Sequence, residues 1–358
     1  MTLAETSRSD LAPGERLSVP HSDSWLLQSQ MLAHGFSTIR MPRHALLGMS
    51  EDSGTQVAFM AGIPESSTLS GVFVSEKGSV WRTYMEEHRV QVIPSRAFRP
   101  GQLKDAVAYA EDIGFPVRVR SVKRDHFGGG YSVASGPSDL KELMGKLRET
   151  YKGSRILVQK HLEGVVLDCL VVEGDVLSAL EERDGQAYEV SDDVHPDVRR
   201  LAVDAVAALP GLRQARVQIA VEDFQAMGGG IFAMVEDISA DASLWARCNA
   251  EGADPRLAAK FFQQHLTAQP GPPASLSRRE EVEVRIEFSG TSNASGFLDA
   301  ASGYAKDRDL DVLRAEVLNN DTASMSLKGR PDVISLLSLN AVRGFDGESA
   351  HMVHTQLV

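Results

Sequence analysis

Four cations fall close together in the stretch from Ile113 to Ser135: Arg118, Arg120, Lys123 and Arg124, followed by His126 and by Gly128-Gly129-Gly130. Apolar Val117, Val119 and Val122 interleave with the cations, and Tyr131-Ser132-Val133-Ala134 resumes the pattern, so the segment reads as strand, glycine run, strand. Successive glycines let a backbone approach a ligand closely and aim several N–H groups at it, and the neighbouring cations favour an anion there. Phosphate suits that chemistry. The same residues also describe a hairpin tip with solvated arginines. Arg118 and Arg120 lie two apart on one strand and share a face, which invites an anionic partner, either a protein carboxylate or a ligand. The segment is not a GxxxxGK[ST] loop, and no helix signal follows it directly.

The elements around this stretch come from hydrophobic periodicity. Helical spacing over 24–32 ends at Gly35, a C-cap residue, and short apolar runs at Val57–Met60 and Gly71–Val74 read as strands of a partial parallel sheet. A helix over 79–88, a strand over 90–93 and an amphipathic helix over 100–113 precede the glycine hairpin. A helix over 137–151 with Ser138 as N-cap follows. Strands are expected over 156–158, 169–172 and 177–180, then a polar loop over 184–196, a helix over 197–209, strands over 215–220 and 230–238, and a helix over 255–269. After the Pro-Gly-Pro-Pro linker, strict alternation from Val282 to Phe288 opens a β-α-β-β-α-β order in under 80 residues.

The order of the middle region resembles the ATP-grasp family, most closely its D-alanine ligase and cyanophycin synthetase type, over roughly 67–266. Gly114-Phe-Pro-Val-Arg-Val-Arg120 is similar to the family's GFPVVVKP, with Arg120 where a lysine contacts phosphate. The resemblance implies a fold of two α+β subdomains around a nucleotide cleft. It implies that Gly128, Gly129 and Gly130 fold over the phosphates, that Lys77 faces them, and that Gln159, Lys160 and Leu162 form a hinge holding adenine. It further implies Arg216 near the transferred phosphate, Gln218 and Glu236 as magnesium ligands, and Asp168 as the replacement for a ribose-binding acid. Gln218 stands where many members have aspartate, and Ile238 where the family has a metal-binding asparagine. Asp237 substitutes only if its strand is re-aimed. Read without the family, Glu236-Asp237 is solvated or paired with Arg247, and Lys77 and Lys160 are solvated. The implied activity is an ATP- and Mg²⁺-dependent carboxylate–amine ligase acting through an acyl phosphate on an amino acid or small peptide. The competing reading is an impaired nucleotide-binding or scaffold protein.

The C-terminal module resembles the acylphosphatase family in Val284–Gly290, Ser295-Gly296-Phe297 and Ala315–Asn319, but Leu298 stands in place of the arginine and Asn319 matches the residue that positions water. That implies a ferredoxin-like docking or dimerisation domain without hydrolytic activity. The expected organisation is a disordered leader over 1–22, a small α/β unit over 23–76, the ATP-grasp domain over 77–268, a linker over 269–279 and the last domain over 280–358. A net charge of −12 argues against a broad nucleic-acid surface, and two distant cysteines, Cys169 and Cys248, give no zinc or redox motif. No apolar run is long enough to span a bilayer. The reading is an α/β and α+β cytoplasmic protein that takes small-molecule substrates and forms a homodimer or partner contact through its C-terminal domain.

Overall fold

The computed structural model describes residues 19–122, 131–225, 232–267, 277–345 and 347–358, with backbone alone for residues 19 and 20. Lys123, Arg124, His126 and the Gly128–Gly130 run lie outside the described residues.

Helix α1 (Val19–Ala33) leads into β1 (Phe36–Met41), β2 (Ala45–Ser50), β3 (Gln56–Met60) and β4 (Ile63–Pro64), each antiparallel to the one before. The expected parallel sheet is therefore overturned. Connections of a few residues permit only hairpins, whereas parallel strands need a crossover of a dozen residues or more. Gly71–Val74, expected as a strand, is helical within α2 (Leu69–Ser75), where the Gly71 amide donates to the Thr68 hydroxyl as N-cap. Gly71 is needed there because a Cβ would stand 2.7 Å from the backbone of Gly211. Helix α3 (Gly78–Glu87) follows.

The next unit comprises β5 (Ser95–Phe98), α4 (Leu103–Ile113), β6 (Val117–Ser121), β7 (Ser132–Ala134), α5 (Pro137–Thr150) and β8 (Ile156–Lys160). Its strands form a sheet in the order β5-β8-β6-β7. Phe98, Val117, Val119, Ile156 and Val158 pack on Ala106, Ala110, Leu140 and Met144 from the two helices. The alternate residues, Leu157, Gln159, Arg118 and Arg120, occupy the opposite face. Residues 90–93 make a single parallel bridge, Val92 to Val235, rather than the expected strand, and Gly136, not Ser138, caps α5.

A second sheet holds β9 (Val165–Val172), β10 (Asp175–Arg183), β11 (Gln186–Glu189), β12 (Gln214–Val221) and β13 (Ala233–Ser239), in the order β11-β10-β9-β12-β13. Helix α6 (Pro196–Ala207) buries Val198, Ala202 and Ala205 against Leu167, Cys169, Val217 and Ile238 on one face. The other face carries Asp168, Arg216, Gln218 and Asp237, beside Leu170 and Val172. Leu170 and Val172 pack toward α7 (Leu244–Cys248) and α8 (Leu257–Thr267).

Then come β14 (Val282–Ser289), α9 (Ala294–Lys306), β15 (Asp311–Asn319), β16 (Thr322–Gly329), α10 (Pro331–Arg343) and β17 (Met352–Leu357), the β-α-β-β-α-β order read from the sequence. The strands run β15-β16-β14-β17, and β17 continues antiparallel onto β1. The first and last parts of the chain thus share one eight-stranded sheet among the described residues. Helix α1 packs on α10, with Trp25 Nε1 donating to the Asp332 carbonyl at 2.7 Å and Ser335 Oγ donating to the Trp25 carbonyl at 2.9 Å. This packing encloses α1 on all sides, so polar Ser22, Asp23, Ser24, Gln28, Ser29 and Gln30 are buried with its apolar residues. Leu298 lies in the module's core, and the Asn319 side chain accepts from the Asp321 amide in the β15–β16 turn.

Candidate functional site

The two sheets meet where β6 faces β13. Arg118 Nη1 donates to Glu236 Oε2 at 2.9 Å, and Arg120 Nη2 reaches Asp237 Oδ2 at 3.3 Å. Two adjacent residues on a regular strand point to opposite faces. Here β12 pairs Gln218 with Asp237 and Ile219 with Val235, so Glu236 is an extra residue on β13. That bulge turns both carboxylates toward the arginines and leaves Ile238 in the core beneath α6. Asp237 Oδ1 accepts from the Ile238 amide at 2.9 Å. The shared face of Arg118 and Arg120 therefore finds protein carboxylates, and their partners are not Arg247, as one reading of the sequence had it.

Further polar groups converge on the pairs. Arg118 Nε donates to His161 Nδ1 at 3.0 Å, and its guanidinium lies 4.1 Å from the centre of the Tyr131 ring. Burial, with Arg118 close by, holds the His161 imidazole below its ordinary value. Arg82 from α3 stacks on Trp81, donates to the Gly78 carbonyl at 2.8 Å and reaches the Glu236 carbonyl at 3.5 Å. Burial, then the charge of Arg120, pulls Arg82 down to about 10, and burial lowers Arg120 too. Three desolvated guanidinium groups thus face two carboxylates.

The segment linking the sheets passes alongside. The Val235 amide donates to the Gln91 carbonyl at 2.8 Å, and the Ile93 amide donates back to the Val235 carbonyl at 3.0 Å. The Lys160 amide then donates to the Pro94 carbonyl at 2.9 Å. Ser95 and Gln159 pair across β5 and β8, next to Arg118. Among the described residues Ser95 Oγ and Gln159 Nε2 are buried without a hydrogen-bond partner, a cost that a ligand in the cleft would remove.

A second cluster lies along the same face of the β9–β12–β13 sheet, beyond the row Asp168, Gln218, Asp237. The Asp168 carboxylate pairs with Arg247 Nη2 and lies 3.6 Å from Arg216 Nε, while Arg216 Nη1 stands 3.5 Å from Asp241. Arg247 also donates to the carbonyls of Ala242 at 3.1 Å and Asp168 at 2.9 Å. Burial alone would raise the Asp241 carboxyl, but Arg216 and the hydroxyls of Ser239 and Ser243 hold it below its ordinary value. Against burial, Asp168 and Asp241 raise Arg216.

Of the residues expected in the site, Arg120, Gln159 and Glu236 come together, with Gln218 beside Asp237. Lys160 is turned aside, its Nζ donating to the Gly114 carbonyl at 2.9 Å, with Leu162 half-buried beyond it. Asp168 and Arg216 join the second cluster. Lys77 is exposed at the start of α3, its Nζ 4.9 Å from the Phe73 ring. Gly128, Gly129 and Gly130 lie outside the described residues. Arg82 is an addition that no pattern marked, whereas His161 lies in the 158–162 segment that the resemblance implies as a hinge. Arg118 carried a signal, its two-residue spacing from Arg120.

Residues 79–177 match the family model of the carbamoyl-phosphate synthase L chain, ATP binding domain. The segment belongs to the ATP-grasp superfamily. It contains Arg82, Arg118, Arg120 and Gln159. Among solved structures, a bifunctional glutathione synthetase from Pasteurella multocida is similar at 12% identity and a TM-score of 0.46, over 63% of this chain and 41% of that one. N5-carboxyaminoimidazole synthase from Aspergillus clavatus is similar at 14% identity and 0.42, over 76% and 75%. D-Alanine–D-alanine ligase from Bacillus anthracis is similar at 12% and 0.39, over 55% and 70%. The chain thus spans less than half of the glutathione synthetase. No curated protein matches by sequence.

A nucleotide and a divalent cation fit this cleft differently. Cations and unpartnered buried donors on the ATP-grasp sheet suit a polyphosphate with a polar base or sugar. The donor set for magnesium does not fit. Glu236 and Asp237 each pair with an arginine, Ile238 is packed in the core, and Gln218 is neutral. Among the described residues no three His, Cys, Asp or Glu side chains gather as a metal-binding group.

Proposed function

We propose that this protein is an ATP-dependent carboxylate–amine ligase whose nucleotide lies between the β5-β8-β6-β7 sheet and β13. The observation that carries this reading is the cationic face Arg82–Arg118–Arg120 in the segment that matches an ATP-binding family, beside buried donors on Ser95 and Gln159 that lack partners. Phosphoryl transfer to a carboxylate asks the protein mainly for positioning and charge neutralisation. The ATP supplies an activated phosphoryl group, and an acyl phosphate then takes an amine. Arg120 and Arg118 hold the phosphates, Arg82 adds charge from α3, and the amide of Gln159 orients the base or sugar.

An amino acid or small peptide is the substrate class this reading favours. A cavity of about 590 Å³ opens between α8 and the 184–196 region, lined among others by Glu189, Asp192, Arg199, Asp254 and Lys260. Charges of both signs suit a zwitterion. Ser178 Oγ donates to Glu189 at 2.7 Å and accepts from Arg247 at 3.2 Å, which joins this cavity to the second cluster. The C-terminal module serves as a docking piece, its support being the sheet it shares with β1.

The test is ADP release from ATP in the presence of amino acids and dipeptides, with Arg120→Ala as control. Release by wild type and not by the variant supports the ligase. Tight ATP binding with no release under any substrate favours the second reading, a nucleotide-binding protein without turnover. The observation behind that reading is that Arg118 engages Glu236 and that Ile238 is in the core.

A further inference from the structure

The misfit between β13 and a divalent cation has a consequence for how the cleft holds its ligand. We propose that the cleft binds its nucleotide without a bridging divalent cation. The guanidinium groups of Arg118, Arg120 and Arg82 supply the neutralisation, and Glu236 and Asp237 act as counter-charges that position those arginines. This rests on the nucleotide reading above and adds to it the ionic form of the ligand.

The geometry argues this from three directions. The bulge at Glu236 matches two successive carboxylates to two arginines spaced two residues apart on β6, so the cations and anions are in register. Arg118 is further fixed by His161 and by the Tyr131 ring, and Arg82 by Trp81 and the Gly78 carbonyl, so the guanidinium groups are held even apart from the carboxylates. Magnesium demands a near-octahedral set of oxygens. Here one Asp237 oxygen is taken by the Ile238 amide and the other by Arg120. A dication placed beside Glu236 would also meet three guanidinium groups in a poorly hydrated cleft, where like charges repel strongly.

Phosphate oxygens offer arginine the same bidentate geometry as a carboxylate. A bound polyphosphate would share Arg118 and Arg120 with Glu236 and Asp237 or displace those carboxylates from them. In either case the carboxylates repel the ligand. Neutralising them should therefore tighten binding, the opposite of what removing a metal ligand does.

The experiment is isothermal titration of wild-type protein with ADP and with ATP, once in EDTA and once in excess MgCl₂. The expected result is a dissociation constant in EDTA equal to that in magnesium within about threefold, or lower. Binding seen only with magnesium, or weakened more than about tenfold by EDTA, overturns the proposal and leaves the nucleotide reading standing. Binding in neither condition overturns the nucleotide reading and this inference with it. Glu236→Gln and Asp237→Asn, each checked for an unchanged cooperative melt, should bind ADP in EDTA as tightly as wild type or several-fold tighter. A loss of tenfold or more in a folded variant would make that carboxylate a ligand-holding group and overturn its role as counter-charge.

Discussion

Two arginine–carboxylate clusters lie on one face of the same sheet, and they are built differently. The cluster around Asp168 and Arg247 matches two arginines to two aspartates from the sheet and the segment after it, and leaves Arg216 Nε buried without a hydrogen bond among the described residues. Arg247, almost fully buried, bonds a carboxylate, three carbonyls and the Ser178 hydroxyl, all from the sheet and the short segment beside it. The cluster around Arg118 and Glu236 spans two sheets, carries one guanidinium group more than carboxylates among the described residues, and lies beside donors on Ser95 and Gln159 that lack partners there. The arrangement around Arg247 is matched in charge. The arrangement around Arg118 is held by contacts that a polyphosphate can take over.

Removing Arg247 is the largest expected effect. Arg247→Leu should lower unfolding free energy by about 3–5 kcal/mol, because it takes the nearer of two arginines from Asp168 and strands several buried acceptors. Urea denaturation reads this out, and a loss under about 1 kcal/mol would erase the contrast between the clusters.

The pH dependence sharpens the same point. Asp23 underlies the second cluster, accepting from the amides of Leu244 at 3.0 Å and Trp245 at 2.8 Å. Burial pushes its carboxyl up to about 6 from an ordinary 3.8, against the pull of those two amides. An acid raised in the folded state binds its proton better folded than unfolded, so its contribution falls as pH rises from 3.8 through 6. The amount is on the order of 3 kcal/mol. His265 runs the other way, since burial lowers it to about 4 and its contribution is lost as pH falls from 6.5. The difference between wild type and Asp23→Asn, measured by urea unfolding at pH 4 and pH 6.5, isolates the Asp23 part. No change in that difference would remove Asp23 as a buried acid.

In the first cluster, Arg118→Ala should weaken ADP binding by about 10–100-fold, the worth of charge-assisted hydrogen bonds, while Arg247→Leu, where still folded, should not. Equal losses from both would mean that ligand and structure depend on the two clusters alike. The smallest effect belongs to Lys77→Ala. An exposed side chain over Phe73 should change stability by less than about 0.5 kcal/mol and leave ADP binding alone. A tenfold loss of binding would bring Lys77 into the site.

Much of the ATP-grasp segment was legible because its signals are local. Alternation in Val117–Ser121 and helical spacing in 103–113 and 137–150 report which side of each element is buried, and burial is what the pattern encodes. In the N-terminal unit the helix over 24–32 and the strand over 57–60 were legible, and the pairing of the strands and the state of 71–74 were not. Its meander and the helix at Leu69–Ser75 are decided by partners far away in the chain, Gly211 for α2 and β17 for β1. The candidate site divides along the same line. The shared face of Arg118 and Arg120 follows from a period of two. Which acids they meet does not, since Glu236 and Asp237 belong to a strand more than a hundred residues on.

The order of elements, the cationic strand before the glycine run and the acidic pair on a later strand are properties of the sequence itself, because local periodicity and residue chemistry state them directly. Only the tertiary structure decided that one extra residue on β13 turns both Glu236 and Asp237 toward β6 and leaves Ile238 in the core. A bulge depends on how two strands pair, and pairing is a relation between distant segments that neither can announce alone.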